Sequence, residues 1–243
     1  MSRSLRHNAR VRDDAGFTMP ELLVAMLIGA LVIWGILGLL DTSIGVGRKT
    51  EQRIDAAQRG RLALELVSRD IRAEACLSAT ETPIVTATGT DLVFYANLGT
   101  VDALPEKHEI VLQGGDLLFR RWVGVRAAAG TIPSVTYPAT ATQTKIIAEN
   151  VQQAPFTPLF RYYAWTPGVS PTPNTQLTPP LTATNQGPPV VLGTAALAVR
   201  VAVKFTVLPE RGFNSSNPTS TFEDSIYSRI ADPSDTTRGP ICN

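Results

Sequence analysis

"AGFTMPELLVAMLIGALVIWGILGLLDTS", residues 15–43, decides the fold. From Leu22 to Leu40 it runs 19 residues without a charge. At 1.5 Å per residue a helix of that length covers roughly 28 Å, close to the hydrocarbon thickness of a bilayer. A cleaved secretory signal has a shorter apolar core and small residues at its cut. Here Asp41-Thr42-Ser43 follow instead, so the segment reads as a retained membrane helix. Arg3, Arg6, Arg10 and Arg12 precede it. The positive-inside rule then puts residues 1–16 in the cytoplasm and the C-terminal bulk outside. Pro20 is tolerated because first-turn amides lack helical partners anyway. Glu21 is the anomaly: a carboxylate at the edge of a membrane helix is expensive unless paired.

The run "GFTMPELLVAMLIGALV" resembles the class III signal of type IV pilins and type II secretion pseudopilins. That signature is a short basic leader ending in glycine, then usually phenylalanine, a glutamate five residues into the processed chain, and an apolar helix. Gly16, Phe17 and Glu21 stand at those positions. The resemblance implies cutting by a prepilin peptidase between Gly16 and Phe17, and methylation of the new Phe17 amine. The apolar segment stays on the mature protein. It also implies that Glu21 pairs with the amine of a neighbouring subunit in a filament of staggered helices. In a low-dielectric core such a pair selects register more than it adds net stability.

Helical character continues past the apolar run. In "TEQRIDAAQRGRLALELVSRDIRAEACLS" apolar residues recur every three or four positions at Ile54, Ala57, Leu64, Val67, Ile71 and Ala75, with Leu62 and Leu66 widening the stripe. Asp55–Arg59, Arg61–Glu65 and Glu65–Arg69 are opposite charges four apart on the outer face. One helix is predicted from about Pro20 to Leu77. Residues 17–40 form its membrane or filament-core part and residues 41–78 its amphipathic part. Its glycines each cost up to about 1 kcal/mol relative to alanine. Gly35 and Gly38 suit close helix packing; the Gly45–Gly47 region could instead unwind. "RLALELVSRDIRAEACLS", residues 61–78, is similar to the same helix in J-type pseudopilins and PilW-like minor pilins, which favours a minor subunit.

Residues 79–243 read as a β-rich extracytoplasmic domain. "TPIVTATG", "DLVFYAN", "EIVLQ", "DLLFRRWVGV", "TKIIAENV", "PLFRYYAW" and "AALAVRVAVKFTVL" are β-branched or aromatic runs between turn formers. Residues 108–122 predict a hairpin around Gly114-Gly115-Asp116. In residues 198–207, Arg200, Lys204 and Thr206 take one face, and Val201, Val203, Phe205 and Val207 the core side. "FEDSIYSRI" is a candidate last strand. Residues 166–190 are rich in Pro and Thr, are excluded from central strands, and read as a long exposed loop. A long helix on an antiparallel sheet is an α+β fold, the pilin-like layout that the resemblance implies.

Net charge is +1. Four arginines against two aspartates give the first 16 residues +2, leaving about −1 elsewhere. No general nucleic-acid binder is expected from that balance. Cys76 and Cys242 are too far apart in sequence for a redox or zinc unit. They are either two separate buried thiols or one disulfide, which export would permit. The chain has no nucleophile elbow, zinc-protease helix, Walker loop or dinucleotide loop. His108 reads as a polar residue at a strand start. Glu223, Asp224, Asp232 and Asp235 do not fit an EF-hand and read as a solvated acidic tail. No catalytic residue, metal site or cofactor is expected.

Two functions remain open. The first is a minor pilin or pseudopilin, whose partners are the peptidase, other pilins and a membrane assembly platform. By the resemblance, such a subunit helps initiate or cap a pilus or secretion filament. The alternative is a membrane-anchored binding or adhesion module, using the Pro/Thr loop or the aromatics Trp122, Tyr162, Tyr163 and Trp165. In strands such aromatics are more often core.

Overall fold

The computed structural model describes residues 16–77, 82–98, 104–126, 135–154, 156–166, 175–182, 194–209 and 219–231. One helix, α1 (Met19–Arg72), is followed by antiparallel sheet. The strands are β1 (Ile84–Ala87), β2 (Asp91–Ala96), β3 (Glu106–Gln113), β4 (Asp116–Trp122), β5 (Val125–Arg126), β6 (Val135–Thr136) and β7 (Gln143–Ala148). After them come β8 (Val151–Gln153), β9 (Phe160–Ala164), β10 (Thr175–Leu177), β11 (Leu181–Thr182), β12 (Arg200–Val207) and β13 (Ser220–Tyr227). The chain divides into two compact units, Met1–Arg48 and Lys49–Asn243.

In the first unit the helix is bare. Leu31, Trp34 and Leu39 are 64%, 78% and 71% exposed. An 18-residue window has a mean hydropathy of 2.7, with none of it buried. A helix that is apolar all round needs lipid or other helices to cover it. Thr42 places its hydroxyl on the Gly38 carbonyl at 2.9 Å, which satisfies a polar group within the helix itself.

In the second unit β11-β1-β2-β3-β4-β7 form a six-stranded sheet. The chain β10-β9-β12-β13, with β8 also paired to β12, forms a second sheet, and β5-β6 a short ribbon. A single sheet would not bury all these strands; two sheets share one core with the helix. Ala63, Val67 and Ile71 from α1 join Leu92, Phe94 and Ile110 of the first sheet and Phe160, Val203 and Phe205 of the second. Tyr162, fully buried, donates its hydroxyl to the Thr88 carbonyl at 2.8 Å and so ties the second sheet to the β1–β2 turn.

The helical stripe differs from the sequence expectation. Its buried residues are Ala56, Gly60, Ala63, Val67, Ser68, Asp70 and Ile71. Ile54 and Leu62 are 53% and 61% exposed. Small residues win because β13 comes close: a Cβ on Gly60 would strike the Phe222 ring. The helix ends at Arg72, short of Leu77, because the chain bends to pair with β2. Glu74 bridges Ala96, and Ala75 N–H donates to the Tyr95 carbonyl at 2.9 Å.

The β3–β4 loop is tighter than expected. Gln113 pairs with Asp116, so only Gly114 and Gly115 turn, with φ of 65° and 90°. On β12 the expected outer face is partly covered: Ala202 is 3% and Thr206 8% exposed, the latter sharing a 3.0 Å hydroxyl contact with Thr221. The Pro/Thr stretch contains β10 and β11, both at sheet edges, where missing N–H donors do least harm. Leu181 is buried there, so this stretch is not all exposed loop.

Candidate processing and assembly site

The start of α1 is built by four residues. Thr18 caps the helix, since its carbonyl accepts the first bond from Leu22 N–H at 3.2 Å. Glu21, three residues on, reaches back. Its Oε2 accepts from the Thr18 backbone N–H at 3.1 Å and from the Thr18 hydroxyl at 2.9 Å. This is the reach-back half of a capping box, and the T-x-x-E spacing that signals it is present in "TMPE". Reading Glu21 only as a misplaced membrane charge overlooks that local partner. The carboxylate also favours the positive end of the helix dipole. Pro20 lies inside the first turn, where its missing N–H costs nothing. Phe17 is 84% exposed, and Gly16 and Glu21 are exposed beside it.

Gly29, Gly35 and Gly38 have nothing within 4 Å of where a Cβ would stand. Among the described residues no contact requires them to be glycine. Cys76 is half-buried just beyond the helix end, whereas Cys242 lies outside the described residues.

The other residues singled out from sequence have structural surroundings. His108, the third residue of β3, is fully buried. Its ring meets Phe94 and Phe119 edge-on, at 5.7 and 4.9 Å between centroids. Burial pulls its pKa below the usual histidine value, so the ring is neutral at physiological pH. Glu223 on β13 pairs with Arg161 and, at 3.0 Å, with Lys204. The Lys204 bond holds its carboxyl below the ordinary range, with burial opposing and Arg161 assisting. Asp224 accepts the Ser68 hydroxyl at 2.8 Å and pins α1 to β13. The two therefore join strands and helix rather than float in an acidic tail; Asp232 and Asp235 lie outside the described residues. Among the described residues no group of three His, Cys, Asp or Glu could hold a metal ion.

The aromatic surface is already occupied. Lys107 lies 4.3 Å above the Trp122 ring and Arg200 lies 3.9 Å above Tyr163. Tyr162 is fully buried and Trp165 8% exposed. Alternation along β9 thus sends Phe160 and Tyr162 inward.

No curated protein matches the chain. Residues 11–37 match the prokaryotic N-terminal methylation motif, which spans Gly16, Phe17 and Glu21. The chain therefore carries, ahead of an antiparallel β domain, the class III signal of type IV pilins, a motif that implies prepilin-peptidase processing, membrane anchoring and assembly with other pilins.

Proposed function

We propose that the chain is a minor pilin or pseudopilin, a structural subunit without a catalytic role. It is cut after Gly16, methylated at Phe17, and drawn from the membrane into a filament. The observation that carries this reading is the position of Glu21 within the methylation motif, at the start of a helix whose apolar surface is uncovered. In the single chain Glu21 is held by Thr18. In the filament it exchanges that neutral partner for the cationic amine of an adjacent Phe17. The carboxylate then meets a full positive charge in place of neutral donors, and in the low-dielectric filament core that pairing selects the register of the subunits. The C-terminal domain faces outside the cytoplasm, and the membrane assembly platform receives the helix. The similarity of residues 61–78 to minor subunits supports a role in initiating or capping the filament.

The test has two readouts. Mass spectrometry of the native protein is expected to find an N-methylated Phe17 terminus; an intact leader rejects the proposal. Glu21→Gln and Glu21→Ala are expected to insert in the membrane normally but to enter sheared filaments poorly. Equal incorporation of both variants removes the role given to Glu21.

A further inference from the structure

β13 is an edge strand: it pairs along its whole length with β12, and no strand among the described residues lies on its other side. Ser228 N–H donates to the Val199 carbonyl at 2.9 Å, which sets the phase of that ladder. Backbone groups alternate in direction along an antiparallel strand, so Ser220, Phe222, Asp224 and Ile226 spend theirs on β12. Thr221, Glu223, Ser225 and Tyr227 then point their N–H and C=O groups away from it, and all four are exposed. One of these donors is in local use, since Ser225 N–H bonds Asp224 Oδ1 at 2.8 Å.

An open groove of about 500 Å³ lies between this strand and α1, with Arg61, Leu64, Arg69 and Arg72 on the helix wall and Asp224 on the strand wall. Asp224 ties the groove to the free edge. Its Oδ1 holds the edge amide of Ser225, and its Oδ2 accepts the Ser68 hydroxyl of α1 at 2.8 Å. An exposed sheet edge takes an extended peptide as a further strand, held by main-chain bonds and selected through every second side chain.

The charges select the peptide. Arg69 is paired with Asp70 at 3.1 Å, and both Asp224 oxygens are bonded. Arg61 and Arg72 make no ion pair among the described residues, against one open carboxylate in the lining, Glu65. At 1.5 Å per residue the two arginines stand roughly 16 Å apart along the helix. Two carboxylates four residues apart on an extended chain share one face and are roughly 13 Å apart, a difference that arginine side chains span. A second β13 centred on the same residue would set Asp224 against Asp224, and like charges directly opposite destabilise a ladder. We propose that this groove binds an extended acidic segment of a partner protein, added to β13 as a strand, with carboxylates on Arg61 and Arg72 and an apolar side chain on Leu64. The site is separate from filament assembly through the membrane helix, because every residue in it belongs to the C-terminal unit.

The test is fluorescence anisotropy of a fluorescein-labelled peptide, Ser-Glu-Thr-Leu-Thr-Glu-Ser, titrated with the full chain in mild detergent, with empty micelles as the blank. Saturable one-to-one binding is expected. Lysine in place of both peptide glutamates, or Arg61→Gln with Arg72→Gln in the chain, should weaken binding about tenfold, the loss of two exposed ion pairs. N-methylation of one alternate set of peptide amides should abolish binding while methylation of the other set is tolerated, since only one set faces β13. Ser225→Pro should abolish it too: Ser225 N–H serves no bond to β12, so proline there blocks the edge and leaves the ladder intact. A signal that matches the micelle blank overturns the proposal, and a dimer that Ser225→Pro dissolves would then give the edge to a second copy. Equal binding of the lysine peptide overturns the acidic selection. Equal binding of both methylated peptides overturns strand addition.

Discussion

Gly60 shows how one absent side chain fixes a contact. It lies on the buried side of α1, and the Phe222 ring of β13 occupies the space a Cβ would need. Alanine there gains up to about 1 kcal/mol of helix propensity. It also overpacks a site that a ring already fills, at a typical cost of about 1 to 3 kcal/mol. The second effect is larger because Phe222 also leans on Phe205, at 5.6 Å between centroids, and cannot swing away freely. Gly60→Ala is expected to destabilise the chain by about 1 kcal/mol in urea titrations followed by tryptophan fluorescence. Adding Phe222→Leu should recover most of that loss, a coupling a double-mutant cycle measures. Independent, additive effects would mean the ring does not exclude the methyl. At the same scale, Glu21 and Thr18 are a pair that sequence spacing announces. Gly60 is not, because nothing in "QRGRLA" tells which strand will cross it.

Among the elements, the β3–β4 hairpin is the most locally determined. Gly114 and Gly115 both have positive φ, as a two-residue turn between twisted strands requires. A β-branched residue in that region costs roughly 1 to 2 kcal/mol. Gly114→Val is therefore expected to lower stability by that amount, whereas Gly114→Asn, which tolerates the left-handed region, should cost less than half of it. Equal losses for both would argue that the turn is not what holds the hairpin. Elements with such local rules are legible in sequence: the alternating strands, the turn glycines and the long helix all follow from period and punctuation. What depends on partners is not. His108 is core because Phe94 and Phe119 flank it across strands, and Gly60 lies on the buried face because the Phe222 ring of β13 packs there. The prolines of 166–190 point to loop throughout. Its Thr175–Leu177 and Leu181–Thr182 segments pair only because β9 and β1 leave free edges. The signal motif is legible because it is a linear code.

For the molecule as a whole, the end of α1 is the junction on which stability turns. We propose that Cys76, just past that junction, is bonded to Cys242; closing a loop of this size contributes about 4 kcal/mol in the chain-entropy account. Thiol counting under denaturing, non-reducing conditions is expected to find none free, and two free thiols would refute the bond. Glu74 adds a pH dependence at the same place. It is 2% exposed, and burial pushes its carboxyl up to about 7, with Ser228 beside it pulling the other way. Between the ordinary value of 4.5 and about 7, the folded chain holds a proton that the unfolded chain has released. Stability from this group is thus fully present below pH 4.5 and is lost as pH rises to about 7, a fall of about 3 kcal/mol at most. Asp91, raised to about 6 by burial and by Glu109, slopes the same way over a lower window, and Arg120 beside it reduces the effect. Glu223, held below its ordinary value, acts oppositely, its contribution being lost only as pH falls into the acid range. Urea titrations at a series of pH values should therefore show stability falling toward pH 7 in the native chain, most clearly above 6.5, where the opposing slope from His108, whose pKa burial lowers, has ended. In Glu74→Gln the neutral amide replaces the protonated acid, and the decline between pH 6 and 7 should disappear while the smaller Asp91 slope below pH 6 persists. Identical pH profiles for the native chain and the Glu74→Gln variant would show that Glu74 is not the titrating group.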